Sequence, residues 1–480
     1  MMSRGTADSL GSSVAACGEP SALLWARYPG RSNPTDRRGA VSASCSLDYG
    51  RVTTTLAKPL EMAINPVPAQ SGAAPSETAR AGIVDLCAGI GCVANGFEAA
   101  KRFEAIALVD IDFDARRVWE HNHSHVDYLA TDIRHLSEKD LLDCADGRDI
   151  LGVVGCPPCQ GFSAAGRRRT DDDRNLLLAA FFDIVRTLAP RFFVMENVPA
   201  VLHRKELQAQ EDALEGRYAI KAGLVNAALY GLPQTRERAV VIGIDRELGL
   251  TPSLPPPTHF GSKAVFSYSR RNLVAPSGKT AGEILGSSPQ IGIPITERYD
   301  GASSLPAQPD QLQDLVTVWD AIGDLPVLDE AREVPRAKAS AYADSLGAGQ
   351  GKLQNHEPWG HTDQTVERLA TISEGGRLKT ELRYYSQAYA RLHRRGLART
   401  ITTNFHNAGC GRFTHPLESR TITVREAARL QGISDEFRFT GHGALQERLV
   451  GNAFPPLLAK AVAEHLAAQM DSVGAMPSHL

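Results

Sequence analysis

From residue 81 onward, short apolar runs alternate with helix-like stretches, and each run stops at a glycine, a proline or an acid. Ala81-Gly82-Ile83-Val84-Asp85-Leu86 breaks into the turn Cys87-Ala88-Gly89-Ile90-Gly91, and a helix is expected to follow through Val93, Phe97, Ala100 and Phe103. Ala105-Ile106-Ala107-Leu108-Val109 ends at Asp110, and Tyr128-Leu129-Ala130-Thr131 ends at Asp132. Ile150-Leu151-Gly152-Val153-Val154 runs into Gly155-Cys156-Pro157-Pro158-Cys159-Gln160. A helix from Leu176 to Leu188 leads to Phe192-Phe193-Val194-Met195-Glu196-Asn197. Near-continuous apolar runs suit strands covered on both faces, and parallel neighbours need a crossover helix between them. The alternation therefore predicts an α/β fold built on a parallel, doubly wound sheet.

In such sheets ligands bind at the carboxyl ends of the strands, and the chemistry-bearing residues collect there. Gly89 and Gly91 let a ligand approach the backbone, and the helix after them offers free N–H groups. Alone, that turn fits a dinucleotide, S-adenosylmethionine or mere tight packing. Asp110 is placed to accept hydrogen bonds from ribose hydroxyls, or to act simply as a helix N-terminal charge. Asp132 is placed to bond an adenine amino group. Strand, turn, helix, strand and acid together argue for a nucleoside-bearing cofactor. Cys159 sits on a turn stiffened by two prolines, as a nucleophile, a metal ligand or a packed thiol. Zinc would want a second cysteine pair or histidines at ligand spacing, and a redox pair would want to open a helix. An ionised Glu196 at a strand tip must be paired or functional. Arg236 and Arg238 alternate along an extended segment running to Gly243, so they are expected on one side of it, facing carboxylates, carbonyls or phosphates, or else surface acids. Gly161 to Thr170, followed by Asp171 to Asp173, is expected to be a mobile loop. Arg167, Arg168 and Arg169 within it could neutralise phosphates or pair with Asp171, Asp172 and Asp173.

The 480 residues are 42% hydrophobic, enough for a sizeable core. The net charge is −3, so any nucleic-acid surface must come from local clusters. Eight cysteines in no repeating framework read as reduced thiols of a cytosol. No apolar run approaches the ~20 residues of a membrane span, and no secretory signal is evident. Four regions are expected. Residues 1–80 are rich in Ser, Ala, Gly, Pro and Arg and are expected to be disordered. They read as a passive tail, as sequence ahead of a later start such as Met62, or as a basic arm through Arg31, Arg37 and Arg38. Residues 81–250 form the α/β domain. Residues 251–420, opened by Pro255-Pro256-Pro257, form a smaller, loop-rich second domain with an insertion at about 258–312 and β-like runs such as Arg399 to Thr403. Residues 421–470 carry helices from Val424 to Gln431 and from Pro456 onward.

Taken in order, these segments resemble the DNA (cytosine-5) methyltransferases of bacterial modification type. The motifs are Asp85-Leu-Cys-Ala-Gly-Ile-Gly91, Pro157-Pro-Cys-Gln160, Glu196-Asn-Val198, Gln234-Thr-Arg-Glu-Arg238, Arg425-Glu-Ala-Ala-Arg-Leu-Gln431 and Gly451-Asn452. Val316 to Pro326 and Asn355-His356 also match, and the resemblance spans about residues 82 to 470. It implies an S-adenosylmethionine-dependent, Rossmann-like domain, a target-recognition domain, and a last helix that returns to the first domain. It implies that Cys159 is the nucleophile, that Glu196 contacts N3 of cytosine, and that Arg238 and Arg236 hold the base and the cysteine loop. Implied cofactor positions are Asp85, Cys87, Gly89, Gly91, Asp110, Ile111, Asp132, Ile133, Pro158, Leu177 and Asn452. Implied DNA contacts are Gln160, Ser163, Arg167, Arg168, Arg169 and Thr402. The implied partner is double-stranded DNA bound by a monomer, with a cognate restriction endonuclease as a further partner; no metal is implied. The chain departs from the family at Cys87, where Phe is usual, at Cys92, where Gly is usual, and at Ile433-Ser434, where Phe-Pro is usual. An RNA cytosine-5 methyltransferase would share this active-site pattern. A nicotinamide-dependent oxidoreductase would leave Cys159, Glu196 and the arginines unexplained, and a catalytically dead relative would not need Cys159 and Glu196.

Overall fold

The computed structural model describes residues 80–123, 126–158, 175–259, 312–328, 336–379 and 387–477. β1 (Ala81–Leu86) is buried along its whole length. It is followed by α1 (Cys92–Ala99), β2 (Phe103–Asp110), α2 (Phe113–Asn122), β3 (Asp127–Ala130), α3 (Glu138–Ala145), β4 (Ile150–Gly155), α4 (Asn175–Leu188), β5 (Phe192–Asn197), α5 (Lys205–Leu214) and β6 (Tyr218–Asn226). β7 (Gln234–Thr235) and β8 (Glu237–Asp245) close this part of the chain. Seven strands form one sheet in the order β3-β2-β1-β4-β5-β8-β6. β1 has β2 on one side and β4 on the other, so the strand order reverses between β1 and β4. Apolar clusters cover both faces, one around Val84, Val153, Phe181 and Phe193, the other around Ile83, Phe97, Val154 and Leu466.

Two expectations need correction. The sheet is mixed, because β8 runs antiparallel to both β5 and β6. Only Ala227 to Arg236 separates β6 from β8, too short a link for a parallel crossover. The first helix also stops at Ala99 and does not reach Phe103. Lys101 takes a left-handed φ of 59°, and Phe103 opens β2 with its ring 5.1 Å from Phe97 and 5.6 Å from Phe192.

The loop-rich stretch contributes α6 (Val318–Ile322), α7 (Ala341–Ser345), α8 (Asp363–Ala370) and β9 (Ala398–Arg399). β9 pairs with β7 in a two-stranded sheet and ends at Arg399, so the β-like run to Thr403 is not strand throughout. With so little ladder here, backbone carbonyls need other donors. Buried arginines supply them: Arg391 donates to the carbonyls of Ile372, His415, Glu418 and Leu369, and Arg425 to those of Gln354, Ser434 and Phe437. His415, Glu418 and Glu426 converge closely enough to suggest a metal site. Arg420 bridges the two acids, 2.7 Å from Glu418 and 2.8 Å from Glu426, so they are held in an ion-pair network.

α9 (Val424–Leu430), α10 (Gly443–Asn452) and α11 (Pro456–Asp471) follow. α11 lies against α1, hundreds of residues earlier, and Gly96 is where they touch. A Cβ there would fall 2.4 Å from the Ala459 side chain and 2.5 Å from the Pro456 carbonyl. Gly96→Val should therefore cost about 2 kcal/mol or more of stability, read as a lower urea midpoint. An unchanged midpoint would mean the helices are not in close contact.

Candidate active site

The carboxyl ends of β1 and β4 meet at the reversal of strand order, the place where ligands bind in such sheets. Leu86 lies opposite Gly155, and the Cys156 N–H donates to the Leu86 carbonyl at 3.1 Å. A Cβ on Gly155 would come within 2.2 Å of that carbonyl, which explains the glycine before the cysteine-proline turn. On the β1 side, Cys87 holds φ 55°, a left-handed conformation that costs a non-glycine residue about 1 kcal/mol. Such strain collects at functional sites.

The turn after Cys87 is stapled to β2 and β3. Asp110 Oδ2 accepts the Gly89 N–H at 2.8 Å, and Asp110 Oδ1 accepts the Asp112 N–H at 2.8 Å. A carboxylate offers about four lone-pair sites, so acceptor capacity remains for a ligand. Burial raises this carboxyl above the usual range. Tyr128 hydroxyl donates to the Gly89 carbonyl at 2.7 Å. Asp85 is fully buried. Its Oδ2 accepts the Ala94 N–H at 3.1 Å, and its Oδ1 has no partner among the described residues. Burial pushes this carboxyl up to about 8, and the charge of Asp110 adds to the rise. Asp132 accepts from Arg134 through both oxygens, and this pairing holds it below the usual carboxylate range. Ile133 is buried and Ile111 is 56% exposed. Leu177 and Cys87 pack against the core cluster of the α4 face. Asn452 is exposed at the end of α10.

The second group of side chains comes from β5 and β8. Glu196 stands opposite Val240, so Arg238, two residues away, is its diagonal neighbour on the same face. Arg238 Nε lies 2.6 Å from Glu196 Oε1, and both side chains are mostly buried. The contact is one of charge, because Glu196 Oε1 has no aligned hydrogen-bond donor among the described residues. Beside it, Asn197 Nδ2 donates to the Pro157 carbonyl at 2.9 Å and so fixes the turn that leads toward Cys159. Cys156 is a free, half-buried thiol. Burial first, and Glu196 second, hold it well above the usual thiol range.

Arg236 lies close enough to Arg238 and Glu196 to feel both charges, but the extended segment that carries the two arginines is broken at Arg236 itself. It lies in the break between β7 and β8 and is 2% exposed. It donates to the carbonyls of Ile401 at 3.1 Å, Ala453 at 3.0 Å and Gly451 at 3.4 Å. It thus ties the strands to the segments bearing Thr402 and Asn452. Thr402 is exposed, and its backbone packs so closely on Gly451 that a Cβ there would sit 2.5 Å away. Cys159, Gln160, Ser163, Arg167, Arg168 and Arg169 lie outside the described residues, as do residues 1–79 and most of the expected insertion.

Sequence reading missed Tyr128, Asp112 and Cys156 as parts of this site. Asp112 carried a usable signal, an acid immediately before a helix. Tyr128 carried none, because its bond to Gly89 reaches across β2. A cleft of ≈ 830 Å³ runs beside β3, lined by Arg116, His123, Asp127, Tyr128 and Cys144 among others; it takes in Tyr128 but none of the candidate catalytic, cofactor or DNA-contact residues named from the sequence.

A family model described as C-5 cytosine-specific DNA methylase matches residues 81–468. The type II methyltransferase M.DdeI of Desulfomicrobium norvegicum is 28% identical, over 82% of this chain and 89% of its own. The type II methyltransferase M1.HphI of Haemophilus parahaemolyticus is 31% identical, over 79% and 85%. Among solved structures, an E. coli chain described as a DNA modification methyltransferase encoded within a prophage aligns with a TM-score of 0.59 at 24% identity, over 82% of this chain and 99% of its own. That likeness speaks for the fold.

Proposed function

The chain belongs to the C-5 cytosine-specific DNA methylase family, and on that premise we propose that it transfers a methyl group from S-adenosylmethionine to C5 of a cytosine flipped out of a specific double-stranded DNA sequence, as the modification half of a type II system. The observation that carries the reading is the Glu196–Arg238 pair. It lies at the same sheet edge as the Pro157-Pro158 turn that precedes Cys159.

The residues at the β1–β4 crevice fit the cofactor. The Gly89 turn is held by Asp110 and Tyr128, Ile111 presents apolar surface, and Asp110 keeps acceptor capacity for ribose. Asp85, Cys87, Gly91, Asp132, Ile133, Pro158, Leu177 and Asn452 would complete the site. When bound, S-adenosylmethionine supplies a methyl group on a sulfonium.

Cytosine C5 is a poor nucleophile until a thiolate adds at C6. Cys159 would form that bond, pushing electron density through the ring to C5 and negative charge onto N3 and O2. A Glu196 carboxyl holding a proton at N3 and the Arg238 guanidinium at O2 would stabilise the charge. After methylation, loss of the C5 proton to a base or water restores the double bond and expels the Cys159 thiolate. A stacked base cannot offer C6 and C5 to two reactants at once, so the cytosine must leave the duplex, at a few kcal/mol of unstacking. Gln160, Ser163, Arg167, Arg168, Arg169 and Thr402 would contact the DNA around it. The loop-rich domain would read base edges in the major groove.

Bisulfite sequencing of DNA from cells expressing the chain should show 5-methylcytosine in one sequence context. Labelled methyl transfer to duplex DNA should exceed transfer to tRNA. No protected cytosine together with methylated tRNA would reassign the substrate to RNA.

A further inference from the structure

α2 follows Asp110 directly, and one C-terminal stretch holds it at both ends. At its start, Asp112 Oδ1 caps the helix by accepting the N–H groups of Asp114 at 3.0 Å and Ala115 at 3.2 Å. The other oxygen of Asp112 accepts from Arg448 of α10, whose second nitrogen lies 3.9 Å from Asp114. At its end, Asn122 Nδ2 donates to the Arg438 carbonyl at 2.9 Å, and Asn122 Oδ1 accepts the Arg438 N–H at 2.8 Å. α10 is itself anchored. Its buried Glu447 accepts the backbone N–H of His406 and contacts the His406 ring, each at 2.6 Å. Val450 O accepts from Gln431 at 2.9 Å. The same helix ends on Asn452.

We infer that Arg448 is a positioning residue for the nucleoside part of the cofactor. By holding Asp112, whose own N–H is bonded to Asp110, it fixes the Asp110–Asp112 turn relative to Asn452. The inference rests on the cofactor site proposed above. Arg448 is about one-third exposed, so the charge contact alone is worth little. Its effect would come from ordering the turn before the ligand arrives, which lowers the cost of binding.

The test measures S-adenosylhomocysteine affinity by calorimetry, with amide exchange at Asp114 and Ala115 as a second readout. Arg448→Met should weaken binding about fivefold, on the scale of one surface ion pair plus local ordering, and speed exchange at those two amides. Arg448→Lys should restore most of the affinity. The gap between Arg448→Met and the unchanged protein should narrow in high salt, which a packing defect would not do. If Arg448→Met proves unstable, Asp112→Asn must reproduce the affinity loss, and wild-type affinity in that variant overturns the inference. Asp110→Ala separates the two claims. Weakened binding in Asp110→Ala with none in Arg448→Met overturns the role of Arg448 and leaves the cofactor site standing. No weakening in either overturns both.

Discussion

Cys159→Ser should lower methyl transfer by about 10⁴-fold or more, the scale seen when a covalent nucleophile is removed. A serine hydroxyl is far more basic than a thiol and holds its proton at neutral pH, so addition at C6 loses its anion. Binding of S-adenosylhomocysteine and of DNA should remain within a few-fold, because the change removes one atom's reactivity and little surface. Cys156, three residues earlier, cannot take over. Its thiol is raised well above the usual range, by desolvation first and the neighbouring Glu196 second, so it keeps its proton. A 5-fluorocytosine in the recognised site blocks loss of the C5 substituent and should trap the unchanged protein as a covalent adduct. Cys159→Ser should form none. Transfer above 1% of the unchanged rate in this variant, or an adduct that maps to another cysteine, would remove Cys159 from the chemistry.

What could be read from the residues was local. β1, β2, β4 and β5 declare themselves as apolar runs because both faces of each are covered. Asp110 and Glu196 stand out because a carboxylate at a strand end needs a reason. What could not be read depends on distant partners. The Glu196–Arg238 contact follows from the register of β5 against β8, and β8 turns antiparallel only because its link to β6 is short. Arg236 looks like a twin of Arg238 by spacing. Yet its three acceptors lie 165 to 217 residues away, and nothing near it in the chain announces them. The same holds for Arg391 and Arg425, which serve loop carbonyls that a periodicity argument never sees. Arg448 reads as a helix-surface cation until its partner at Asp112 is known.

Glu196→Gln should lower kcat about 10²- to 10³-fold, the usual effect of losing one preorganised group that meets charge as it develops. Glutamine keeps the size of the side chain and can still face Arg238, so folding and cofactor affinity should hold. It cannot deliver a proton to N3, so the charge that builds as sulfur adds has no sink there. The loss should fall on kcat, because the missing interaction exists only once C6 is attacked. The adduct with 5-fluorocytosine should therefore form more slowly in Glu196→Gln, whereas a defect limited to a later step would leave its formation rate unchanged. Arg238→Met should also slow transfer, since it removes the donor at O2 and leaves Glu196 without its counter-charge at 2.6 Å. If both side chains act on the same charge, the double variant should lose less than the product of the single losses. A kcat within threefold of the unchanged protein in Glu196→Gln would mean that the N3 contact comes from elsewhere, and the Glu196–Arg238 pair would then be structural.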